Sequence, residues 1–105
     1  MEISLAQKLA WENKIAKGFN TTEVPLEFCL LSGEVAEAFD AWRKGRHSVA
    51  EELADVAIFL LGLANMVQVD LQEAIEAKLA QNEARVYMAL PNGVLVKDTD
   101  ASIRT

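Results

Sequence analysis

The chain has 105 residues, 51% of them hydrophobic, and a formal net charge of −6, the size of one domain with a modest core. That acidity, without a basic stripe, excludes a nucleic-acid polymer as partner, because phosphate-backbone binders need clustered lysine and arginine; a small phosphorylated ligand stays open if a metal supplies positive charge. The longest apolar run, residues 56–67, is too short to cross a bilayer, no apolar leader is visible, and a single cysteine gives no disulfide framework, so the expected setting is a reducing cytoplasm with no membrane partner.

The first helix is expected to open on Ser4-x-x-Gln7, a capping-box pattern, and to stop at Gly18. Residues 19–24 read as a connection, with Thr21 or Thr22 as caps and Pro25 in the first turn of a second helix that runs to Lys44 and stops at Gly45. Cys29 lies in an apolar run of that helix and is expected in the core. After a short basic loop, Ser48-x-x-Glu51 should cap a third helix. From residue 53 to residue 67 its strongly polar side chains are Asp55 and Asn65. A helix apolar on all sides is buried on all sides, and so small a chain cannot cover it alone, which predicts an oligomer, a dimer or a dimer of dimers. Asp70-x-x-Glu73 should cap a fourth helix reaching Tyr87 or Met88. Beyond it, Pro91-Asn92-Gly93 signals a turn, and residues 89–105 read as a strand, an extended arm or a frayed tail after a helical domain over residues 1–88. The fold class is therefore all-α, a four-helix bundle with a short C-terminal extended arm.

Two short acidic pairs organise this framework. Glu34-x-x-Glu37 and Glu52-x-x-Asp55 each put two carboxylates on one helix face, a turn apart. The Glu52 and Asp55 stripe continues into Phe59, Leu63 and Met66, and Glu34 and Glu37 share a face with Leu30 and Ala41. Acids at the mouth of an apolar seam must be protonated, paired or bound to metal. All-oxygen ligation suits Mg²⁺ or Mn²⁺. Lys78, Asn82 and Arg85 share a face of the fourth helix, and spacing alone allows them to be ion-pair partners for the acids or a cradle for polyphosphate. His47, in a loop, is the single histidine, which excludes a Glu-x-x-His di-iron site and a zinc site. No phosphate-binding glycine loop or nucleophile elbow is present.

The runs Leu31-Ser32-Gly33-Glu34-Val35-Ala36-Glu37-Ala38-Phe39 and Glu51-Glu52-Leu53-Ala54-Asp55-Val56, followed by Lys78, Asn82, Arg85 and Tyr87, resemble the MazG-type all-α nucleoside triphosphate pyrophosphohydrolases. Gly33 stands where several members carry another glutamate and where the dCTP-pyrophosphatase-like branch also has glycine. The resemblance implies a MazG-like bundle in which Glu34, Glu37, Glu52 and Asp55 bind Mg²⁺ (or Mn²⁺), with Glu37 as the candidate to orient or deprotonate water. It also implies substrate contacts from Lys78, Asn82, Arg85 and Tyr87, and cleavage of a (d)NTP to the monophosphate and pyrophosphate. Trp11, Lys14, Lys17, Phe19, Asn20 and Trp42 are candidate base or phosphate contacts, and His47 a candidate phosphate contact. The expected role is removal of surplus or non-standard nucleotides. The alternatives are a relative specialised for dUTP, dCTP or phosphoribosyl-ATP, and a non-catalytic helical oligomer acting as a regulatory partner.

Overall fold

In the computed structural model, residues 1–98 are described: α1 (Ile3–Lys17), α2 (Val24–Arg43), α3 (Val49–Met66), α4 (Leu71–Ala84), β1 (Tyr87–Ala89) and β2 (Leu95–Lys97). Backbone packing divides the chain into two compact units, Met1–Gln72 and the residues from Glu73 onward. The 88/89 line expected from the sequence falls inside β1.

In the first unit the helix ends are set by backbone geometry. Gly18 lies at φ 72°, its N–H bonds to the Ile15 carbonyl, and the Phe19 N–H reaches back to the Lys14 carbonyl. This double bond is the Schellman closure that a residue in the left-handed region permits. Gly45 (φ 67°) closes α2 in the same way, with the Arg46 N–H on the Ala41 carbonyl. A third such end closes α3, with Gln68 at φ 59° and the Val69 N–H on the Ala64 carbonyl.

The helix starts differ from the sequence expectations. Helix α1 begins at Ile3, so Ser4 is already helical; its N–H donates to Gln72 Oε1 at 2.9 Å. Gln7 is buried and accepts the Leu71 N–H, while its amide donates to the Val69 carbonyl and to Asn65 Oδ1. Thr21 and Thr22 do not cap α2. Instead Asn20 Oδ1 accepts the Glu23 N–H at 2.9 Å, and Asn20 Nδ2 donates to the Glu23 carbonyl. Ser48 stands at the start of α3 with ψ near 3° and makes no side-chain cap bond; N-cap side chains work from the extended region.

Helices α2 and α3, joined by the short loop 44–48, pack along their length, and α1 lies on α3 with little direct packing on α2. The buried apolar side chains are few among the described residues: Ala38, Ala41, Leu63 and Ala64. Helix α3 turns one face to α1 and α2, while Leu53 (56% exposed) and Ile58 (50%) stay open to solvent. Cys29 is exposed rather than in the core, on a side of α2 that neither neighbour covers. No single helix is long and apolar enough to cross a membrane.

In the second unit α4 ends at Ala84, before the expected Tyr87 or Met88, and the chain continues as a hairpin. Strand β1 pairs antiparallel with β2 in the register Tyr87↔Lys97, Met88↔Val96, Ala89↔Leu95. Pro91-Asn92-Gly93 forms the turn, closed by Gly93 N–H on the Leu90 carbonyl and by Val94 N–H on Asn92 Oδ1. The β-branched and aromatic residues here favour a strand over a further helical turn. The tail expected beyond Asp98 lies outside the described residues.

Candidate active site

Carboxylate oxygens from Glu34, Glu37 and Glu52 lie within 4.8 Å of one another. Spacing on two helices brings them there: α2 and α3 are antiparallel, so a turn back along α2 matches a turn forward along α3. With Glu37 opposite Glu52, Glu34 comes level with Asp55, Leu30 with Phe59, and Glu27 with Gly62. Each level carries its own observation. Asp55 is outside the tight trio, but its charge acts on Glu34; Leu30 and Phe59 line one cavity; Glu27 and Gly62 both meet the Lys14 side chain.

Glu34 is the most constrained acid. Burial pushes its carboxyl above the ordinary 4.5, and the neighbouring carboxylates, Glu37 first and then Asp55 and Glu52, add to the shift. Its Oε2 is buried with no hydrogen-bond partner among the described residues. An orphaned buried oxygen beside two further carboxylate oxygens is a donor set that a hard divalent cation fits, since the cation removes both the missing partner and the mutual repulsion.

One level along the seam lies a cavity of about 210 Å³ lined largely by apolar atoms of Ala10, Phe19, Leu30, Ile58 and Phe59, with Asn13, Lys14 and Asn20. Phe19 is 56% exposed and free to offer its ring. Lys14 and Asn20, expected as ligand contacts, are engaged inside the protein. Lys14 Nζ donates to both oxygens of Glu27 at 2.9 Å and to the Asn20 carbonyl at 2.7 Å, which uses its three donors. The Asn20 amide is bonded to the Glu23 backbone just before α2. Asn13, which no sequence pattern singles out, lines the cavity, and its side chain makes no hydrogen bond among the described residues. Trp11 and Trp42 stand elsewhere: Trp11 lines a hollow with Gln7 and Asn65, and Trp42, its ring 6.1 Å from that of Phe39, lines an apolar groove with Leu53. Lys17 is exposed in the last turn of α1, and His47 is exposed in the 44–48 loop.

Within the second unit, Arg85 Nη1 donates to Asn82 Oδ1 at 2.9 Å and Lys78 Nζ to Gln81 Oε1 at 3.5 Å, on the exposed side of α4. Tyr87 follows on β1, partly exposed.

Glu27 is legible in the sequence only in part. It falls seven residues before Glu34, on the same face, so burial follows from helical period. Its partner lies on another helix, which no spacing rule reveals.

Comparison with known proteins finds dCTP pyrophosphatase 1 of Rattus norvegicus 38% identical over 79 residues, covering 65% of this chain and 46% of that protein. The Homo sapiens protein of that name is 33% identical over 89 residues, covering 63% and 52%. The dATP/dGTP diphosphohydrolase of Cyanophage S-2L is 50% identical over 44 residues, 42% of each chain. The chain spans about half the length of the curated relatives it matches. No protein-family model and no solved structure matches. The chain is thus similar to both kinds of nucleotide-hydrolysing relative, on a helical fold that brings Glu34, Glu37 and Glu52 together, a likeness that supports the MazG-type resemblance of its acidic motifs.

Proposed function

We propose that this protein is a divalent-metal-dependent pyrophosphohydrolase that cleaves a deoxynucleoside triphosphate to the monophosphate and pyrophosphate. The observation that carries the reading is the Glu34, Glu37 and Glu52 trio with its orphaned buried oxygen, in a chain similar to named dCTP and dATP/dGTP hydrolases. Glu34, Glu37, Glu52 and Asp55 would hold Mg²⁺ or Mn²⁺. When bound, the metal supplies positive charge to the phosphates and acidity to a water.

The chain's own residues do the rest. Glu37 is exposed within the trio and is the carboxylate best placed to orient water and take its proton. The cavity one level away accepts the nucleoside, with Phe19 as a stacking face and the uncommitted Asn13 amide offering a donor and an acceptor to a base edge. Lys78, Asn82, Arg85 and Tyr87 are the proposed phosphate and sugar contacts. The exposed apolar faces of α2 and α3 support a homodimer or dimer of dimers, and the role is removal of surplus or non-standard nucleotides in the cytoplasm.

The test is pyrophosphate release from a panel of dNTPs and NTPs, with Mg²⁺ or EDTA, on wild type and Glu37→Gln. Release that needs metal and falls by about 10²-fold or more in the variant is expected. A folded wild type releasing no pyrophosphate from any nucleotide would leave the chain a non-catalytic oligomer.

A further inference from the structure

The seam between α2 and α3 does not end at the carboxylate trio. Two levels beyond Glu34 it carries a further acid, Glu27, fully buried and closed by Lys14 rather than left for a metal. Lysine and glutamate so placed are costly to desolvate, and apolar replacements of equal size commonly hold a fold as well. Stability is therefore weak grounds for keeping the pair.

Its connections indicate other grounds. Lys14 leaves α1, crosses α3 at Gly62, and bonds to Glu27 on α2 and to the Asn20 carbonyl in the connecting segment 18–23. A Cβ at Gly62 would stand 2.7 Å from Lys14 Cε and 3.1 Å from Cδ, too close for a side chain already fixed by three hydrogen bonds. Direct packing of α1 on α2 is slight, and the ammonium bonds the first helix to the second. Asn20, held by the same ammonium, in turn holds the Glu23 backbone, and Phe19 is its chain neighbour. Lys14, Phe19 and Asn20 all line the cavity beside Leu30 and Phe59.

We infer that Lys14, Glu27 and Gly62 form a positioning device that sets the wall of the nucleoside cavity, and so tunes which base is accepted, without touching the reacting phosphates. The inference rests on the cavity being the nucleoside end of the proposed site. Glu27 and Gly62 are positioning residues, two levels from the acids.

The test uses the full chain with the double substitution Lys14→Met/Glu27→Leu, which removes both charges together, and separately Gly62→Ala, which displaces the lysine and removes no charge. KM and kcat for pyrophosphate release are measured over the dNTP panel at saturating Mg²⁺, with amide hydrogen exchange of residues 18–23. The expected result is a KM raised about tenfold for the preferred dNTP, a flattened preference among bases, kcat lowered less than threefold, and faster exchange at residues 18–23. Gly62→Ala should move the same readouts in the same direction. Unchanged KM and preference in a folded double variant overturns the inference, as does a fall in kcat for every base alike. If wild type turns over no nucleotide, the earlier reading fails on its own, and hydrogen exchange decides this one: unchanged protection at residues 18–23 overturns the device.

Discussion

Glu34 and Asp40 show how residue-level surroundings set opposite pH responses on one helix. Asp40, bonded to Arg43 and Lys44 at 2.8 Å and 2.9 Å, is held down to about 2 from 3.8. Its folded form binds its proton less readily than the unfolded chain does, so its contribution is present above pH 3.8 and lost as pH falls toward 2. Glu34 is raised above 4.5 by burial and by neighbouring carboxylates. The folded chain therefore keeps a proton that the unfolded chain has released, and stability falls as pH rises from 4.5 through the raised value. Glu34→Gln should flatten that slope and raise the metal-free unfolding midpoint at pH 7. Urea unfolding at several pH values in EDTA checks this, and a variant with the wild-type slope refutes it. The Lys14 and Glu27 charges differ again. Lys14→Met alone leaves a carboxylate that is 0% exposed without its cation, and should cost about 3–5 kcal/mol, whereas Lys14→Met/Glu27→Leu should be close to neutral. A single variant as stable as the double would show that an unpaired charge at Glu27 does not destabilise the fold.

At the scale of elements, the sequence is most informative where geometry is local. Gly18 and Gly45 end helices where expected because each sits at positive φ, a conformation glycine takes without Cβ strain. Glu34, Glu37 and Glu52 meet, with Asp55 outside the trio, because i, i+3 spacing on adjacent antiparallel helices sets both pairs along one seam. The capping-box patterns mislead because Gln7 gains more from the Asn65, Val69 and Leu71 groups on other elements than from its own helix start. The end of α4 comes earlier than periodicity suggests because Val86, Tyr87 and Met88 continue an apolar pattern that fits a strand as well as a helix. Position 68 is invisible in the sequence, since a glutamine carries no sign of left-handed backbone. Holding Gln68 at φ 59° should cost about 1 kcal/mol relative to glycine, so Gln68→Gly is expected to raise stability by roughly 0.5–1 kcal/mol. Chemical denaturation measures it, and a loss of stability would mean that the glutamine side chain contributes more than the strain it carries.

For the whole molecule, the distribution of apolar side chains is the governing physical fact. Half of the sequence is hydrophobic, yet Phe39, Trp42 and Leu53 on the α2 and α3 seam are 59%, 67% and 56% exposed. Contiguous apolar surface of that kind marks an interaction surface, and the all-round apolar character of α3 expects a second copy to cover it. Leu53 offers a discriminating substitution, being more than half exposed in the single chain. Leu53→Glu there should change stability by no more than about 0.5 kcal/mol. Buried between two subunits, the same carboxylate would be desolvated without a partner, which association cannot easily offset. Sedimentation at micromolar concentration is expected to show wild type at a multiple of the 11.5 kDa chain mass and Leu53→Glu at a lower multiple. Equal masses would place the subunit contact elsewhere and leave this apolar face uncovered. Pyrophosphate release on the same samples then separates two roles for the assembly. Activity falling with mass at each protein concentration means that the partner completes the site, and activity independent of mass means that one chain carries the whole site.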